Sequence, residues 1–142
     1  MIWRMLATGV LAAACGLLGA ASTFSVPLPN HPAFRMNVVD RSGLVAGATA
    51  APREGEFSLD GDVIADPGNN TLTLRWLGSQ CRLGPSLTVA GTATELHLVL
   101  DPNAGPVLPT SANCPTESLA FALTLTLATT VAQDAVSLEV RR

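Results

Sequence analysis

The sequence predicts a single antiparallel β-sandwich of about six to eight strands. Three observations point there. Residues 70–81, 94–100 and 119–129 alternate apolar and polar side chains with a period of two, the period that sends neighbours to opposite faces of a sheet. These stretches are short and bounded by turn signals, notably the runs starting at Asp66-Pro67-Gly68 and Asp101-Pro102-Asn103. Thr71, Thr73, Thr124 and Thr126 fill alternate sites, and β-branched side chains favour a pleated surface over a helix. A chain of 142 residues has room for one such domain and a short N-terminal extension.

That extension reads as an export signal over residues 1–22. Arg4 supplies one positive charge, residues 5–18 are apolar and uncharged, and small residues then suit cleavage after Ala21 or Ser22. The run Leu11-Ala12-Ala13-Ala14-Cys15 also resembles a bacterial lipobox, which would place a lipid on Cys15; Ala12 stands where that pattern has Leu or Val. Residues 23–34 contain Pro27, Pro29 and Pro32, and are expected to form an extended lead outside the sheets, because proline cannot donate to a ladder.

The sandwich is then expected over residues 35–142. Met36 and Val38 mark one face of a first strand. Residues 43–54 are too rich in Ala and Gly for assignment. Phe57 and Leu59 alternate ahead of Gly61 and Val63. Leu72, Leu74 and Trp76 face a core in the strand that leads to Cys81. Leu87 and Val89, then Leu96, Leu98 and Leu100, point inward from two further strands. Phe121, Leu123, Leu125 and Leu127 do so from the longest one, and Val136, Leu138 and Val140 from the last. Residues 107–118, with two prolines and Cys114, read as a long loop.

Once Cys15 is removed or lipidated, two thiols remain. An even count in an exported chain implies a Cys81–Cys114 disulfide. Trp76, close to that bridge, resembles the tryptophan packed on the inter-sheet disulfide of immunoglobulin domains. In that family the tryptophan lies between the cysteines, whereas Trp76 precedes both, and Ala112 replaces the tyrosine two residues before the second cysteine. The resemblance implies an immunoglobulin-like or related Greek-key sandwich and carries no function with it.

Composition excludes more than it proposes. All eight basic residues are arginine, the net charge is −3, and no basic run exists, so a nucleic-acid partner is not expected. No Gly-x-Ser-x-Gly elbow follows the signal. Glu95 and His97 share an outward face and could exchange protons, but the sequence offers them no nucleophile. Asp60, Asp62 and Asp66 form the one acidic cluster that could hold a metal ion, although the spacing departs from the EF-hand at Ile64, Ala65 and Thr71. The expectation is an exported bacterial protein, periplasmic, secreted or on the cell surface. It would work without a cofactor, as a non-enzymatic binding or envelope-structural module for an extracytoplasmic protein or glycan. The alternatives are a carbohydrate- or protein-binding accessory domain and a metal-dependent hydrolase using the loop of Asp60, Asp62 and Asp66.

Overall fold

A computed structural model of the chain describes residues 20–28, 31–52, 60–79, 84–105 and 118–142. Among these residues the fold is all-β, in two sheets. One has the order β1-β2-β6-β7-β9 and the other β3-β8-β5-β4. The strands are β1 (Ser22–Leu28), β2 (His31–Asp40), β3 (Val45–Pro52), β4 (Asp62–Asp66), β5 (Thr71–Ser79), β6 (Ser86–Thr92), β7 (Glu95–Asp101), β8 (Ser118–Leu127) and β9 (Val136–Val140). A short 3-10 turn, Gln133–Ala135, precedes β9. No helix among the described residues is long and apolar enough to cross a membrane.

The inward residues named above build the core. Leu72 and Leu74 of β5, Leu96 of β7, and Leu123 and Leu125 of β8 are all fully buried, in one cluster drawn from both sheets. Each such leucine contributes about 1.5–3 kcal/mol by leaving water. The outward alternates stay wet or half-buried, so the two-residue period decides which side chain enters the core.

Two departures from expectation concern small and cyclic residues. The proline-rich lead is not outside the fold. Residues 22–28 are β1 and β2 starts at His31, so the sheet begins at Ser22 rather than at residue 35. Ser22 to Pro27 pair with Asp40 to Arg35, and Val26 and Leu28 join the core. Pro27 is tolerated because β1 is an edge strand, with no outer neighbour to receive an N–H. The unassigned residues 43–54 contain β3, whose Ala48 and Ala50 pack inward against the core. These two strands bring the total among the described residues to nine, above the expected number.

Nor is the sandwich wholly antiparallel. β2 pairs in parallel with β6, and β7 with β9. In both cases the chain leaves its sheet, adds strands to the other, and returns on the far side of a crossover, which favours parallel entry. The turn after β2 is fixed by Asp40, which is 1 % exposed. Its carboxylate accepts the N–H groups of Ser42 at 2.8 Å, Gly43 at 3.2 Å and Val45 at 2.9 Å, and the Ser42 hydroxyl.

Candidate functional site

β5, β7 and β9 end, and β4 begins, at the same end of the sandwich, where a cavity of about 600 Å³ opens between the sheets. Trp76 and Gly78 line it from β5, Leu138 and Val140 from β9, and Asn103 and Arg141 from the segments that follow β7 and β9. Trp76 stacks on its cross-strand partner Phe121, with ring centroids 5.6 Å apart and planes at 26°. Such a pair contributes about 0.5–1.5 kcal/mol beyond area burial. Gly78 makes room for it: a Cβ there would meet Phe121 Cε2 at 2.8 Å and Trp76 Nε1 at 3.3 Å.

The indole N–H of Trp76 is buried and has no hydrogen-bond partner among the described residues. A donor stripped of water without an acceptor costs on the order of 1–3 kcal/mol, so native cores rarely keep one. At the rim Arg142 pairs with Asp60. Arg141 also lines the cavity and takes part in no ion pair among the described residues. Its backbone N–H donates to the Leu100 carbonyl at 2.8 Å, which fixes the chain where it leaves β9. Among the described residues that line this rim, two arginines stand with one aspartate. The cavity thus offers apolar walls and the side-chain N–H donors of Asn103, Arg141 and Arg142, an arrangement suited to holding an acceptor-bearing ligand.

The three aspartates proposed as metal ligands have separate tasks. Asp60 belongs to the rim. Asp62 receives Arg75 in a two-point contact, whose hydrogen bonds raise the arginine's pKa above its ordinary value against a smaller opposing effect of burial. Asp66 accepts the Asn69 side-chain amide at 2.8 Å and the Asn69 N–H at 3.3 Å, closing the β4–β5 turn. Among the described residues no group of three or more His, Cys, Asp or Glu is gathered in a way that could hold a metal ion. Cys15, Cys81 and Cys114 lie outside the described residues. Ser79 and Ser118 are register partners on adjacent strands, two residues before Cys81 and four after Cys114.

The structure gives the outward Glu95–His97 pair a third member. Parallel pairing sets Ser137 opposite His97, with its hydroxyl 2.6 Å from Nδ1, while Glu95 lies 3.5 Å from Nε2. The sequence could not show this, because the two strands are forty residues apart. The group resembles a catalytic set in composition alone. The His97 and Glu95 side chains are 56 % and 78 % exposed on an open sheet face, where water screens the charge that a reaction would need stabilised. A second concavity of about 460 Å³, an apolar groove between the edge strands β1 and β3, is lined by Val26, Leu28 and residues 48–51 and presents no charged side chain among the described residues.

No protein-family profile, curated protein or solved structure matches the chain.

Proposed function

We propose that this chain is an exported, non-enzymatic β-sandwich binding module whose ligand enters the cavity beside Trp76. The observation that carries the reading is the orphaned Trp76 N–H in a donor-rich recess. The side chains lining the recess include no Ser, Thr, Cys or His among the described residues, so they can orient a bound molecule but supply no nucleophile or imidazole base. Export is supported by the apolar run of residues 5–18. Cleavage after Ala21 would leave the whole of β1 in the mature protein. The oxidising compartment would let Cys81 and Cys114 join; in support, Ser79, two residues before Cys81, is the register partner of Ser118, four residues after Cys114. An immunoglobulin-like variant of the sandwich fits the inward tryptophan, with Phe121 as its stacking partner.

The test is a thermal-shift screen of glycans, short peptides and organic acids. A bound compound raises the melting temperature by mass action. Asn103 is exposed at the rim, so Asn103→Trp should fold and block entry, abolishing the rise. A screen with no stabilising compound, or stabilisation that survives Asn103→Trp, would overturn this assignment. Catalysed turnover of the bound compound would replace it with an enzyme.

A further inference from the structure

We infer that the ligand of this cavity is a small organic anion, a carboxylate with an apolar body and a second oxygen acceptor. The inference rests on the binding reading above and names the ligand class for the same site. Three features of the recess converge on it. The walls from Leu138 and Val140, with Trp76 and Gly78 opposite, are apolar and belong to both sheets, so an apolar body would be held between them. The Arg142–Asp60 pair satisfies one rim charge and leaves the Arg141 guanidinium as the cation without an ion pair. A guanidinium presents a fork of N–H donors that matches a carboxylate in two-point contact. Deeper in, Trp76 Nε1 is a buried donor lacking an acceptor, and it sits beside Gly78, itself part of the lining. An uncharged hydrocarbon would satisfy only the walls. A cation would meet the guanidinium groups of Arg141 and Arg142 and a carboxylate, Asp60, that Arg142 already engages. A carboxylate with a further carbonyl, hydroxyl or amide oxygen satisfies the walls, the guanidinium and the indole together, and a volume of about 600 Å³ accommodates it.

The experiment follows the Trp76 indole N–H by NMR in isotope-labelled full-length protein, the signal being assigned by its loss in Trp76→Phe. The probes are N-acetyl-leucine, hydrocinnamate and decanoate, each beside its uncharged primary amide. N-acetyl-leucine carries the second oxygen and is expected to shift the indole signal furthest. Its amide should bind about tenfold or more weakly, because a charge-assisted contact is lost. Arg141→Gln should bring acid and amide to within about threefold of each other. If acid and amide bind wild-type protein equally well, the anion class is wrong while the cavity stands as a binding site. If Arg141→Gln keeps the full preference for the acid, the role of Arg141 is overturned. If no acid moves the indole signal at up to about 10 mM, which would reveal even millimolar affinity, the ligand class falls. The Asn103→Trp thermal-shift result then decides separately whether the cavity binds anything else.

Discussion

The side-chain amide of Gln133 accepts a hydrogen bond from the Ala65 N–H at 2.7 Å, and its nitrogen donates to the Val63 carbonyl at 3.0 Å. One side chain thereby stands in for a neighbouring strand along the outer edge of β4, which has no strand partner on that side among the described residues. Unpaired edges invite pairing with other chains, and this one is partly filled from within. Gln133→Ala is expected to lower stability by about 1–2 kcal/mol and to raise amide exchange at Ala65. Gln133→Glu keeps the acceptor and loses the donor, so it should protect Ala65 but not restore full stability. Hydrogen exchange with chemical denaturation checks both.

Asp40 makes a second prediction. Removing its carboxylate strands the N–H groups of Ser42, Gly43 and Val45 at a part-buried turn. Asp40→Ala should cost about 2–4 kcal/mol in urea unfolding, and Asp40→Asn distinctly less, since the amide oxygen still accepts. Equal losses in the two variants would mean that the charge, not the acceptor count, holds the turn.

The Trp76–Phe121 stack limits what can stand at Gly78. Gly78→Ala should displace Phe121 and destabilise the domain by about 1–3 kcal/mol, read as a fall in the denaturation midpoint. A neutral result would show that the ring moves aside freely.

Neighbouring positions in β8 should respond in opposite ways. Leu123 is fully buried between the sheets, and Leu123→Asp should unfold the domain by placing an unpaired charge in the core. Thr124 lies on the outer face, its hydroxyl 3.4 Å from that of Thr73, and Thr124→Asp should fold with a loss within about 1 kcal/mol. Circular dichroism and thermal melting separate the outcomes.

The proposed Cys81–Cys114 bond closes a loop of about 34 residues, which corresponds to roughly 3–4 kcal/mol of chain entropy. Replacing both cysteines with serine should lower the melting temperature by more than about 8 °C, and thiol titration of denatured, unreduced protein should find neither thiol free. Two titratable thiols and an unchanged melt under reductant would remove the bond from the account.

Elements with large apolar residues on alternate sites were plain in the sequence, because Leu, Phe and Trp contrast sharply with Thr, Arg and His. β5, β7 and β8 are the examples. β3 was not legible, since alanine and glycine carry almost no contrast between faces. β1 was concealed by Pro27, whose penalty depends on whether a strand is central or at an edge, a property of the assembled sheet. The site was the least legible part. Trp76 was recognisable as a core residue, but that its N–H lacks an acceptor follows only from what surrounds it. Arg141, Asn103 and Asp60 come together from three separate stretches of chain. Ser137 joined His97 through a parallel pairing that no local pattern announces.

The position of β8 sets the order in which the fold can be assembled. Three hairpins, β1–β2, β4–β5 and β6–β7, connect neighbours in sequence and can form as soon as each is available. Among the described strands β3 has no ladder partner except β8, and β8 alone joins β3 to β5. Before residues 118–127 appear, a chain emerging from its N-terminus can hold the four-stranded sheet β1-β2-β6-β7, but the second sheet has only the β4–β5 hairpin and a β3 still without its ladder partner. Only then can the second sheet close over the first, and β9 still has to dock alongside β7. Closing such distant pairings is slow, on the order of milliseconds to seconds. In the export proposed above, most of the polypeptide would thus pass through a narrow channel before the second sheet has the means to close.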